Sequence, residues 1–99
     1  MKETKLVKQI LDFCRMRGLL FYRTQSGAIK TETGGFMKFG FAGCPDLTGC
    51  LKGKFIAVEC KVGKNTQTPS QVEFQRKVEK EGGEYWLIYN IDEFINKLK

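Results

Sequence analysis

The stretch that decides the fold is G-C-P-D-L-T-G-C-L-K-G-K-F-I-A-V-E-C-K, residues 43–61. Asp46 opens one apolar run, a Lys52-Gly53-Lys54 turn follows, and a second apolar run ends in Glu59-Cys60-Lys61. Side chains on a strand alternate between faces, so Glu59 and Lys61 point the same way, about 6–7 Å apart along the chain. If residues 46–51 pair with residues 55–61 as a hairpin, Asp46 returns to the neighbourhood of both. Two carboxylates and an ammonium then converge at one end of an apolar sheet. Phe55 and Ala57 share a face with Glu59 and Lys61, while Ile56, Val58 and Cys60 take the other. Both faces are largely apolar, which predicts a central strand covered on both sides.

Upstream, Leu6, Val7, Ile10, Leu11 and Cys14 recur at helical spacing and predict a helix over residues 4–17, with Gly18 as its stop. Glu3 lies four residues before Val7 and so falls on the core-facing stripe. Spacing alone favours a carboxylate that complements the helix dipole over one with a role in a site. Residues 19–24 read as a strand and Gln25-Ser26-Gly27 as a break. Residues 27–43 are rich in Gly and Thr and predict a long loop holding at most a short strand. Within it, Phe39 and Phe41 are expected to fill the core rather than stack on bases. Lys30 and Lys38 are the better candidates for contacting phosphates.

Downstream, residues 62–67 form a polar connection, and Thr68-Pro69-Ser70-Gln71 announces a helix. Thr68 is a natural N-cap, Pro69 suits the first turn, and Gln71 occupies the third position of a capping box. Gln71 also shares a face with Phe74 and Val78, which turns it partly inward. Gly82-Gly83 ends this helix, and residues 85–89 form an apolar strand. Asn90 with Glu93 caps a short last helix carrying Phe94, Ile95 and Leu98. The predicted fold is α/β, a mixed sheet flanked by helices in the order α-β-β-β-α-β with a short C-terminal helix. Residues 1–99 are expected to form one domain.

A chain of 99 residues buries about 65% of its unfolded surface, enough for one modest core. The 41% hydrophobic and 12% aromatic residues are a globular composition and argue against disorder. Neither a run of about 18–20 apolar residues nor a signal peptide is present, so a cytoplasmic protein without membrane association is expected. Seventeen Lys and Arg against eleven Asp and Glu give a formal charge of +6, which favours a polyanionic partner. Four cysteines without a C-x-x-C pair, and no histidine, argue against zinc and for reduced thiols. The lack of histidine also removes Ser-His and Cys-His nucleophile arrangements. Any catalysis must come from carboxylates, lysine and a hard metal.

Asp46 and Glu59 supply hard oxygen ligands, and the backbone carbonyl of Cys60 offers a third. Few protein oxygens plus several waters is the arrangement Mg²⁺ prefers. The competing reading of Glu59 and Lys61 is a solvated ion pair on a strand edge, worth little.

Pro45-Asp46 with Glu59-Cys60-Lys61 is similar to the PD-(D/E)xK nuclease signature, and more narrowly the chain resembles the VRR-NUC (virus-type replication-repair nuclease) family. The narrower resemblance rests on Glu3 opening the first helix, Ser26-Gly27 after the first strand, G-x-P-D at residues 43–46, and T-P-x-Q at residues 68–71 followed by Gly82-Gly83. It runs from Glu3 to the last helix. The resemblance implies a restriction-endonuclease-like core and a DNA endonuclease dependent on Mg²⁺ or Mn²⁺. Asp46 and Glu59 would be the metal ligands and Lys61 the catalytic lysine, with Glu3 and Gln71 completing the site from two helices. Ser26, Lys30, Lys38 and Lys64 are the candidates for DNA contact. Stand-alone members resemble Holliday-junction resolvases, which implies a homodimer acting on branched DNA in a bacterial or phage-infected cell; members with added domains act on flaps. A flap or nicking nuclease, a non-catalytic nucleic-acid-binding module and a small interaction domain are the alternatives.

Overall fold

The computed structural model describes residues 2–24 and 27–99. Among these the elements run α1 (Glu3–Arg17), β1 (Leu20–Arg23), β2 (Gly27–Lys30), β3 (Phe36–Phe39), β4 (Leu47–Leu51), β5 (Lys54–Cys60), α2 (Pro69–Lys80), β6 (Glu84–Ile88) and α3 (Ile91–Lys97). The decisive hairpin is β4–β5, antiparallel, with Leu47 opposite Val58 and Leu51 opposite Lys54. One further step of that register sets Asp46 against Glu59. A four-stranded mixed sheet forms around it in the order β1-β4-β5-β6. β1 is antiparallel to β4, and β6 is parallel to β5 after the α2 crossover.

Helix α1 buries the expected stripe of Leu6, Val7, Ile10 and Cys14. Gly18 closes it in the left-handed conformation at φ 67°, where a glycine carries no Cβ penalty, and its N–H reaches the Arg15 and Cys14 carbonyls. This helix packs with α3 over the face of the sheet that carries Ile56, Val58 and Cys60. Phe21, Trp86 and Phe94 meet there, with ring centroids 5.3 Å apart for Phe21–Phe94 and 5.6 Å for Trp86–Phe94. Gly49 makes room for them, because a Cβ at that position would land in the Phe21 ring.

The opposite face is covered by α2, which packs Val78 and Phe74 on Ala57 and Tyr85. β5 is therefore enclosed on both sides, as its two apolar faces predict. Beyond the reach of α2, Leu20 and Tyr22 of β1 remain exposed on this same face.

Residues 27–43 depart from expectation. Instead of a loop with one short strand, they form a second, two-stranded sheet, β2–β3, with Ile29 opposite Met37 and Lys30 opposite Phe36. A local turn drives the pairing. Thr31 Oγ1 accepts from the Gly35 N–H at 3.1 Å, the Thr31 N–H donates to the Gly35 carbonyl at 2.8 Å, and Gly34 takes φ 90°. The Gly and Thr that suggest a loop are the residues this turn requires.

Phe41 also departs. It does not fill the core; it is exposed and lies against the Phe74 ring, centroids 5.1 Å apart. The core seats already belong to Phe21, Trp86 and Phe94. The side chain of Phe39 lies outside what the structure describes. All four cysteines are free, with Cys14 and Cys60 buried. No helix among the described residues is long and apolar enough to cross a membrane.

Candidate active site

The site lies at the end of β4–β5 remote from the Lys52-Gly53-Lys54 turn. Asp46, just ahead of β4, is fixed at both ends. Its carboxylate Oδ2 accepts from the Cys60 N–H at 2.8 Å, and its carbonyl accepts from the Thr24 N–H at 2.9 Å. The Thr24 and Thr48 hydroxyls meet at 2.6 Å and tie the end of β1 to the same place. Lys61 is held by its backbone N–H, which donates to the Ile88 carbonyl at 3.0 Å and carries the β5–β6 ladder one residue past Cys60.

Exposure decides between the two readings of Glu59 and Lys61. Glu59 is 3% exposed and Lys61 8%, so this is not a solvated strand-edge ion pair. Lys61 Nζ stands 3.9 Å from Glu59 Oε2. Burying two charged groups at a long separation costs more than their attraction returns, which is poor design for stability alone. Glu59 shows the consequence. Burial first, and then the charge of Asp46, push its carboxyl up to about 8; Glu3 adds to the rise and the Lys61 ammonium only partly opposes it. Glu59 Oε1 is buried and has no hydrogen-bond partner.

Gln71 reaches the site from α2 while capping it. Its Oε1 accepts from the Thr68 N–H at 2.9 Å, and its own N–H donates to Thr68 Oγ1 at 3.3 Å, completing the capping box. The Thr68 N–H can only donate, so it fixes which end of the amide faces it. Nε2 is thereby turned to Glu59 Oε2, at 3.2 Å. The capping and site roles are two ends of one amide.

Glu3 enters from the first turn of α1. Its Oε2 accepts from Asn65 Nδ2 at 3.3 Å, and its charge is felt at Glu59. The structure thus brings Glu3, Asp46, Glu59, Lys61 and Gln71 to one end of the sheet. Of the DNA-contact candidates, Lys64 is exposed on the loop of residues 62–68 that follows Lys61, and Lys30 is exposed on β2 in the separate two-stranded sheet. Lys38 has its backbone on β3 opposite Ala28. Ser26, and the Lys38 side chain, lie outside what the structure describes.

The roles of three residues escape the sequence. Asn65 holds Glu3, and Tyr89 Oη in turn donates to the Asn65 carbonyl at 2.8 Å. Asn65 lies in the polar connection and Tyr89 at the end of an apolar strand, and neither position names its partner, so only the folded chain reveals these contacts. The third is Gly43, the glycine of G-x-P-D. It takes φ 85°, and a Cβ there would lie 2.6 Å from the Ser70 carbonyl carbon. The loop leading into Asp46 therefore packs directly on the first turn of α2, beside Gln71.

Among the described residues no group of three or more His, Cys, Asp or Glu is arranged to hold a metal ion. The acidic donors that face each other are the pair Asp46 and Glu59. No protein-family model matches the chain, and no curated protein is significantly similar to it. The geometry therefore has to carry the functional reading.

Proposed function

We propose that the protein is a metal-dependent, structure-selective DNA endonuclease, resembling the VRR-NUC branch of the PD-(D/E)xK nucleases. The observation that carries this is the meeting of buried Glu59 and Lys61 with half-buried Asp46 at one sheet end, with Glu59 left short of a partner. A buried carboxylate that has an unpartnered oxygen and a second carboxylate beside it is relieved by a divalent cation. Asp46, Glu59 and the Cys60 carbonyl would hold Mg²⁺ or Mn²⁺ with few protein oxygens and several waters, which suits these ions. When bound, such a cation polarises a phosphodiester and lowers the pKa of a coordinated water.

The chain's own groups divide the remaining work. The Lys61 ammonium neutralises charge that develops on the phosphate and positions the attacking water. The Cys60 N–H aims the Asp46 carboxylate, and Gln71 Nε2 aims that of Glu59. Glu3, steadied by Asn65, adds negative charge from the side of α1. The formal charge of +6 supports a nucleic-acid substrate.

The test is cleavage of labelled four-way junction, flap and duplex DNA with Mg²⁺, with Mn²⁺ and with EDTA. Metal-dependent cutting, strongest on a branched substrate, is expected. DNA binding without cutting on any substrate would favour a non-catalytic binding module instead.

A further inference from the structure

The β2–β3 hairpin makes no extensive contact with any other helix or strand among the described residues. A lone two-stranded hairpin is marginal in water, yet this one leaves apolar groups open on both faces. Ile29 and Met37 face each other on one side, each about half exposed, and on the other Lys30 stands opposite Phe36, which is 72% exposed. An aromatic ring this open, with a cation directly across the ladder, pairs a stacking surface with a phosphate ligand.

The hairpin is also rooted at the site. Its first leg leaves β1 through Thr24, whose N–H is bonded to the Asp46 carbonyl. Its second leg returns through Phe41 on Phe74 and Gly43 against Ser70. The base of the hairpin therefore lies beside Asp46 and the first turn of α2.

We propose that the β2–β3 hairpin is the specificity-determining element of the site, its Lys30–Phe36 face gripping nucleic acid by stacking Phe36 on an unpaired base at a branch. This rests on the reading of the site as one that acts on nucleic acid. Charge selects the occupant: a second copy would bring another chain of +6 against the same lysine, whereas a polyanion is attracted to it. Bases inside a duplex are already stacked on each other, so an open ring gains most from a base without a partner.

The experiment leaves cleavage out. In EDTA, the protein is titrated into a fork carrying an unpaired 2-aminopurine at the branch and into a fully paired duplex, following 2-aminopurine quenching and anisotropy. Wild type and Phe36→Trp should quench the probe. Phe36→Ala should lose the quenching and bind the fork about 10-fold more weakly, with duplex affinity changed less than about twofold. Unchanged quenching and affinity in Phe36→Ala would overturn the proposal, as would absence of any DNA binding by wild type. It would also fall if Phe36→Ala bound the fork normally but shifted the solution mass from dimer to monomer, since the ring would then be covered by a second copy. Phe36-dependent quenching in a protein that cuts nothing with metal would sink the nuclease reading and leave this one standing. Cutting without Phe36 dependence would do the reverse.

Discussion

Glu59 is the residue on which the site's electrostatics turn. Its carboxyl holds a proton more tightly folded than unfolded, because burial and Asp46 outweigh Lys61. The stability it contributes is therefore fully present below its unfolded value near 4.5 and is lost as pH rises through about 8. Thermal melts of the metal-free protein should fall between those pH values, by a few kcal/mol in all, and Glu59→Gln should flatten that fall. Mn²⁺ at pH 7.5 should raise the melting temperature of wild type and leave Asp46→Ala unchanged, since ligand binding to the native state alone stabilises it. Equal shifts in both proteins would remove Asp46 from the metal site. Asn65→Ala, which frees Glu3, should weaken that Mn²⁺ shift without altering the circular dichroism spectrum.

At the scale of elements, the sequence is most legible where a pattern has one cause. The α1 stripe, the β4–β5 alternation and the Thr68–Gln71 cap each follow from a single local rule, and each forms as read to within a residue or two. Asp46, Glu59 and Lys61 are legible as a site because strand alternation and hairpin register place them together. Residues 27–43 are not, because Gly34 and Gly35 serve a hairpin turn as readily as a loop. Asn65 and Gly43 are hidden for another reason: what they do depends on contacts with Glu3 and Ser70 across the fold. Gly43→Ala tests the second case. It meets both an unfavourable φ and the Ser70 backbone, so it should cost about 1–3 kcal/mol and lower activity by moving Asp46 relative to Gln71. Thr68→Ala should cost about 1 kcal/mol through the lost cap, read as a lowered midpoint in urea.

For the whole molecule, the sheet divides the labour. The α1–α3 side is closed by an aromatic and aliphatic core, while the α2 side opens toward β1 and the hairpin, and the site sits where β1, β4, β5 and α2 meet. A cationic chain that holds phosphates should lose DNA affinity steeply with salt, the logarithm of the binding constant falling linearly with that of salt concentration. Lys64→Ala, on the loop beside Glu3, should reduce that slope by about one unit while weakening all DNA structures alike.

The central claim is that Asp46, Glu59 and Lys61 together perform phosphodiester cleavage, and single-turnover cutting of one branched DNA by wild type, Asp46→Ala and Lys61→Ala in Mn²⁺ tests it most directly. With all three proteins folded, each substitution should slow cleavage by at least about 10²-fold. Cutting by both variants at the wild-type rate would contradict the account.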